Sequence, residues 1–374
     1  MRTAFAVVVG LHALIHSMGF VKAFGLAELP QLVLPISRPM GAAWLAAALL
    51  LLATVGALYA WPRGWWMLGL AGMVLSQIVI VSAWSDAKAG TMANIILLLG
   101  CLYGALNEGP TSLRAAYEEE VARGRARLSA AGPPVLVTEA DLAPLPPPVR
   151  RYLELTGVVG QPRTLEYTPR FRGRIRGGAD DAWMSFEAEQ TSFASPPTRL
   201  FFMHATMFGL PVEVLHRFVG SGASMQVRLL GAIPIAEAHG PEMDRAETVT
   251  LLNDMCILAP STLLSPSIAW EPIDERSARA RLTHGPSVVT ATLHFDDEGW
   301  LADFVSDDRL RASRDGSSFT PQRFSTPVSE PRPFDALRLA ARGETHWHAP
   351  PPEGELTYGE FELMAIERVP PDRH

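Results

Sequence analysis

Residues Met40 to Ala60 read MGAAWLAAALLLLATVGALYA, twenty-one consecutive positions without a charge. A bilayer core takes roughly 20 apolar residues in a helix, because every backbone amide inside it must find its partner within the segment. This stretch is therefore expected to cross a membrane. Three more of the same kind surround it: Thr3 to Phe20, Trp65 to Trp84 and Thr91 to Leu106. The first resembles a secretion signal in position, but it holds His12 and His16 and lacks a small-x-small cleavage site, so it reads as a retained span. Trp61, Trp65, Trp66 and Trp84 fall at the ends of these runs, where an amphipathic ring favours the headgroup level.

Beyond the last span the composition changes. Up to Pro110 there are five basic residues against three acidic ones, which leaves 27 basic against 36 acidic in the remainder. An acidic domain without a basic stripe has nothing to neutralise a phosphate backbone, and nucleic acid is excluded as a partner. Two cysteines, Cys101 and Cys256, are too few for a disulfide framework or a thiolate metal site. No cofactor is expected. The only lysines in the chain are Lys22 and Lys88.

Three regions follow from this reading: a membrane module over 1–110, a charged helical connector over 111–137, and a soluble unit over 138–374. Ser112 to about Ala131, rich in Ala, Glu and Arg, suits a helix continuing from the fourth span, and Gly132-Pro133-Pro134 ends it. From Thr164 to Ile366 short runs of Val, Thr, Phe and Leu alternate with Gly- and Pro-containing turns, which predicts about ten antiparallel strands. Asp244 to Leu258 interrupts them: Val249, Leu252, Cys256 and Ala259 recur near helical spacing and predict a helix packed on the sheet. The fold class is a four-helix transmembrane bundle followed by an α+β, mainly antiparallel β domain.

Several constellations carry chemistry. His12 and His16 share one helix face, suited to a metal, a haem or a proton relay, or else to hydrogen bonds with Ser76, Gln77 or Asn94. Asp86, Lys88 and Asn94, with Lys22 expected on the same side, form a polar grouping at one membrane interface that suits an anionic headgroup or a small polar solute. Asp86 and Lys88 pairing with each other is the simpler alternative. Gly100-x-x-x-Gly104 allows a close helix approach.

In the soluble part, Glu247, Thr250 and Asp254 fall on one face of the predicted helix with Asn253 adjacent. Two turns separate the carboxylates by about 10 Å, too far for the usual glycosidase pair, so a buried hydrogen-bonding role is expected. His346 and His348 flank Trp347 on a strand and point one way, as metal ligands with Glu344 or Glu355 would, but a His-x-His on a strand is unspecific and no metal is expected. An ion pair between Asp307-Asp308-Arg309 and Gly359-Glu360-Phe361 is expected across neighbouring strands. No nucleophile elbow, zinc-protease motif, phosphate loop or dinucleotide fingerprint occurs. In Leu200 to Phe208 both strand faces are apolar, Phe202, Met203 and Met207 among them, so core must cover one side and a helix or a ligand the other. Met184, Met203, Met207, Met225, Met243, Met255 and Met364 supply adaptable apolar surface of the sort that lines lipid pockets, with ordinary core packing the alternative.

Leu251-Leu252-Asn253-Asp254, then Pro260, Trp270, Asp308-Arg309 and Gly359-Glu360-Phe361, resemble an uncharacterised bacterial family known only as a domain of unknown function. The likeness covers roughly Leu145 to Arg368. The segment around Asp86-Ala87-Lys88 and Asn94 is similar to a membrane module fused to that domain in some members. The family has no assigned catalytic residues, so none is carried over. Its layout resembles the curved, incomplete barrel of bacterial lipoprotein carriers, which implies a curved sheet or half-open barrel with a packed helix.

Together these expectations describe a multi-pass protein of a bacterial inner membrane whose β unit binds a lipid or other apolar ligand without catalysing a reaction. The alternatives are a membrane enzyme or transporter built on Lys22, Asp86, Lys88, Asn94 and His16, and a structural or sensory module that binds another protein. Arg2, Arg63 and Arg114, with Arg123, Arg125 and Arg127 farther on, outnumber Lys22, Arg38 and Lys88 and favour a cytoplasmic β unit. The lipoprotein carriers work outside the cytoplasm, so the resemblance implies the opposite side.

Overall fold

The computed structural model describes residues 2–128 and 135–368. The chain divides after Ala116 into two compact units. The expected stop at Gly132-Pro133-Pro134 lies outside the described residues.

In the first unit, α1 (Arg2–Ala23), α2 (Arg38–Ala60) and α3 (Trp65–Ser82) are followed by the single turn α4 (Trp84–Ala87) and by α5 (Gly90–Glu108). The structure thus has four helices long and apolar enough to cross a membrane. α1 packs on α2 and α5, and α3 on α2 and α5. Missing side chains make room for rings. A Cβ on Gly19 would sit 2.2 Å from the Trp44 ring, on Gly100 2.3 Å from Phe5, and on Gly104 2.5 Å from Trp65. The Gly100/Gly104 pair therefore receives aromatic rings from α1 and α3. Trp61 and Trp84 are half-exposed at helix ends, whereas Trp65 turns into the bundle and is 6% exposed, contrary to its expected headgroup position.

α6 (Leu113–Leu128) does not continue the fourth span as expected, because α5 ends at Gly109-Pro110 and the Ser112 hydroxyl accepts from the Ala115 amide to start a new helix. From Tyr117 onward α6 belongs to the second unit. α7 (Glu139–Leu142) and α8 (Pro147–Thr156) then lead into the sheet.

The sheet is built first from β1 (Glu166–Ile175), β2 (Met184–Ala194), β3 (Pro197–Met207), β4 (Leu210–Val219), β5 (Gly222–Leu229) and β6 (Ile233–His239). The helix α9 (Pro241–Ile257) and a 3₁₀ turn at Pro260–Leu264 follow. The second set comprises β7 (Ile268–Asp274), β8 (Ser277–His284), β9 (Ser287–Phe295) and β10 (Leu301–Ser306), then the short β11 (Leu310–Ala312), β12 (Phe319–Pro321) and β13 (Arg323–Ser325). β14 (Val328–Phe334), β15 (Leu337–His348) and β16 (Glu355–Arg368) complete it. Among the described residues sixteen strands replace the ten expected, because turns such as Glu275-Arg276 carry no Gly or Pro and the three-residue strands are too short to show a period.

Fourteen strands form one antiparallel sheet in the order β6-β5-β4-β3-β2-β1-β16-β15-β13-β10-β9-β8-β7, with β14 on β15; β11 and β12 pair separately. The path is curved and open, not a closed barrel. α9 links its two ends in sequence and touches β5 and β6 from one half and β9 and β10 from the other, which requires the sheet to wrap around it. Pro241 in the first turn and Glu242 and Asp244 at the positive end of the dipole start α9 three residues before the expected Asp244.

The two apolar faces of β3 have different covers. Tyr117 of α6 lies over Phe202, ring centroids 5.8 Å apart, with its hydroxyl 2.8 Å from Thr191 Oγ1. A Cβ on Gly124 would stand 2.2 Å from the Phe193 ring. Gly124→Leu is therefore expected to lift α6 from the sheet and cost about 1–3 kcal/mol by overpacking, whereas Tyr117→Phe, losing one hydrogen bond, costs about 1 kcal/mol. Thermal unfolding of the full chain in mild detergent checks the order of the two, and equal midpoints would contradict the packing.

Candidate functional site

The opposite face of β3, carrying Arg199, Phe201 and Met203, borders a cavity of about 940 Å³ between the sheet and α9. That is the upper end of the range of small-molecule sites. Phe201, Met203 and Met225 contribute from the first half of the sheet, Phe324 and Trp347 from the second, and Met243 and Ile257 from α9. Alternation along β3 sorts the candidates: Met203 lines the cavity, Phe202 points to α6, and Met207 lies outside the lining near the end of the strand. Of the seven methionines, Met203, Met225 and Met243 line it, and Met184, Met255 and Met364 do not.

One wall is charged. Asp254 Oδ2 accepts from Arg199 Nε at 2.6 Å and from Gln190 Nε2 at 2.8 Å. Glu247 lies 3.2 Å from Arg199 Nη1 and 3.4 Å from Arg309 Nη1, with His216 Nδ1 at 3.8 Å. Arg309 also donates to the Thr250 hydroxyl and the Ala246 carbonyl. Asn253 Nδ2 donates to Thr326 Oγ1 at 2.9 Å. Asn253 and Asp254 thus both reach the cavity, held by strands distant in sequence.

Burial alone pushes the Glu247 carboxyl up, but the His216 imidazole and the Arg309 and Arg199 charges outweigh it and hold the group well below the usual carboxylate range. The sign follows from linkage: with the folded value below the ordinary 4.5, this stabilisation is complete above that pH and is lost as pH falls below it. The second unit is expected to lose stability on acidification below about pH 4.5, and Glu247→Gln to flatten that limb of the curve. Urea midpoints between pH 3 and 7 test it; parallel curves for the two proteins would contradict it.

At the outer end of the cavity, Arg176 donates to the Thr357 and Ala179 carbonyls, both at 2.9 Å, while Arg314 pairs with Asp181 at 2.7 Å and Arg311 with Glu353 at 2.7 Å. Among the described residues Arg176 has no carboxylate partner. A second, polar depression of about 720 Å³ is lined by Arg172, Arg174, Glu360 and Glu362, which pair across β1 and β16.

His346 lies between Glu355 at 2.6 Å and Glu344 at 2.8 Å, and His348 Nε2 meets Ser325 Oγ at 2.7 Å. Among the described residues no group of three or more His, Cys, Asp or Glu side chains has the geometry of a metal site. The ion pair expected between Asp307-Asp308-Arg309 and Glu360 does not form. Asp307 pairs with Arg323, Asp308 with Arg245, Arg309 with Glu247 and Glu360 with Arg174, because β16 lies between β1 and β15 rather than beside β10.

In the membrane module, hydrogen bonds sort the polar candidates into two sets. His12 Nε2 lies 3.0 Å from Asn94 Oδ1, His16 Nε2 2.9 Å from Ser76 Oγ, and Asn94 Nδ2 donates to Gln77 Oε1 at 2.9 Å. His16 Nδ1 is 2.9 Å from the His12 carbonyl. Ser76 also donates to Asn94 Oδ1 at 2.9 Å, so the two imidazoles, Ser76, Gln77 and Asn94 form one hydrogen-bonded cluster inside the bundle. Lys22 and Asp86 belong to the loops instead: Lys22 donates to the Leu32 carbonyl, and Asp86 Oδ2 accepts from the Val33 and Leu34 amides at 2.6 and 2.7 Å. Those amides, Leu34 first, hold the Asp86 carboxyl below its ordinary value. Asp86 thus anchors the loop after α1 and does not pair with Lys88.

Sequence reasoning missed Arg199 and His216, and it assigned Arg309 to Glu360 instead of Glu247. Arg199 was detectable: it stands in phase with Phe201 and Met203 in a strand whose other residues there are apolar. His216 stands opposite Phe201 in the β3–β4 pair, while Arg309 joins Arg199 only through the curvature of the sheet.

No curated protein matches the sequence. Among solved structures, a domain from Vibrio parahaemolyticus provisionally assigned as an outer membrane lipoprotein-sorting protein is similar over 54% of this chain and 85% of its own, at 9% identity and a TM-score of 0.30. A likeness that distant carries no functional argument. Residues 135–361 match the family described as "Family of unknown function (DUF6544)", and the chain belongs to that family.

Proposed function

We propose that this is a membrane-anchored binding protein whose β unit holds a lipid or other amphiphile between the curved sheet and α9. The cavity carries the reading: about 940 Å³, walled by Phe, Met and Trp side chains, in a chain that also has four membrane-length helices. An apolar space of that size is stable when an apolar chain fills it, since dry voids forfeit the contacts of their lining. Arg176, which has no carboxylate partner among the described residues, suits a polar head, and the Arg199/Glu247/Asp254/Arg309 wall is internally neutral and serves as structure. Gentle extraction of the full chain, native mass spectrometry and organic extraction test the proposal. A lipid bound at near-stoichiometric yield supports it, and a chain that binds none even after incubation with lipid overturns it. Arg2, Arg63 and Arg114 only equal Lys22, Arg38 and Lys88, and it is Arg123, Arg125 and Arg127 that tip the count toward a cytoplasmic β unit; cleavage within 135–368 by protease added outside intact cells would refute that.

A further inference from the structure

Two adjacent hairpins put large apolar residues where a turn favours Asn or Gly. β3 and β4 are joined by Phe208-Gly209, with φ of 51° and 79°, and β5 and β6 by a loop opening with Leu230-Gly231, at 55° and 69°. Left-handed backbone at the first of these positions is the place for Asn, Asp or Gly, and a bulky side chain there is strained. Phe208 gains nothing from packing in return, since it is 93% exposed. Water penalises it a second time. The same arrangement in two neighbouring turns points to an environment other than water.

The two turns form one edge. The Leu230 amide donates to the Pro211 carbonyl at 2.9 Å, and Leu210, Ile233 and Ile235 beside them are 44%, 51% and 37% exposed. Strand register brings further groups to the same end: Ile175 is opposite Met184, Met207 opposite Leu210 and Leu229 opposite Ile233. Trp183, just before Met184, has Arg174 and Arg176 over its ring, each 4.6 Å from the centroid. Exposed aliphatic and Phe tips flanked by Trp and Arg are the composition of a segment resting in a bilayer interface; Arg174 is held by Glu360, which leaves Arg176 as the guanidinium for a phosphate. The cavity reaches this edge as well, because Ile175, Arg176 and Ile235 belong to its lining.

We propose that the Phe208/Leu230 edge is a bilayer-docking surface, with the hairpin tips in the apolar layer, at the mouth of the cavity. The four membrane-length helices of the same chain keep a bilayer at high effective concentration. Docking stands apart from ligand holding: an empty cavity would leave it untouched, and a cavity filled from solution would not require it.

The test uses the full chain in vesicles of phosphatidylcholine containing phosphatidylglycerol, with a nitroxide at Phe208→Cys and, as control, at Ser221→Cys in the turn at the opposite end of β4. Native Cys101 and Cys256 are buried and do not compete for the label. The expected result is loss of collisions with an aqueous nickel chelate and gain of collisions with oxygen at 208, with the reverse at 221. Equal nickel accessibility at the two sites overturns the proposal. Shielding of 208 from both reagents also overturns it, by indicating a protein partner on this edge. A second variant removes dependence on the label at the tip: Phe208→Asn, which suits the turn, is expected to raise the melting temperature while returning a nitroxide at Leu210→Cys to water. Retained burial of 210 in that background counts against the proposal.

Discussion

Replacing Glu247 with alanine is expected to destabilise the second unit by about 3–5 kcal/mol, because it leaves the Arg309 guanidinium buried beside the cavity without a carboxylate. Arg199 keeps Asp254, at 2.6 Å, so the damage falls on Arg309, whose remaining partners are neutral: the Thr250 hydroxyl and the Ala246 carbonyl. Glu247→Gln retains oxygen and volume and is expected to cost less. Urea unfolding of the full chain in mild detergent, followed by the sheet's circular dichroism, gives both values. An alanine variant as stable as the parent would show that the carboxylate does not hold the wall together, and the network would then be free to serve a ligand instead.

The second large effect concerns occupancy. Met225→Trp, on a partly buried wall residue, fills space that a ligand needs, whereas Met364→Trp, at a site 47% exposed and outside the lining, does not. Met225→Trp is expected to weaken binding of a co-purifying lipid at least about tenfold, equivalent to ~1.4 kcal/mol, with the Met364 variant unchanged. Quantifying extracted lipid per chain decides it. Equal yields from the two variants would place the lipid elsewhere on the protein.

The membrane half was legible because hydrocarbon leaves a chain few options: the run from Met40 to Ala60 needs no tertiary information to be read as a span. The four expected segments match the four helices to within three residues at each end. α9 was legible from Val249, Leu252 and Cys256, which do enter the core. The sheet was harder. Its first strand pairs with its last, a partnership no local pattern announces, and Glu360 accordingly meets Arg174 rather than Arg309. The two-sided apolar character of β3 correctly demanded two covers, yet not which residue faced which. Phe202 belongs to α6 and Phe201 to the cavity because register, set by the neighbouring strands, fixes the phase. The wall of Arg199, Glu247, Asp254 and Arg309 draws on β3, α9 and the segment after β10, and only α9 signalled it in advance.

The pairing of β1 with β16, from Tyr167 opposite Arg368 to Ile175 opposite Gly359, has a consequence for biosynthesis. Until residue 368 has left the ribosome, β1 lacks one neighbour, and the strands up to β6 and those from β7 onward are two open ribbons with no strand pairing between them. Each would present an unpaired edge and half of an apolar trough to its surroundings. Contacts spanning some two hundred residues close slowly. A stop codon placed before Glu355 is therefore expected to leave two half-sheets rather than a shortened domain.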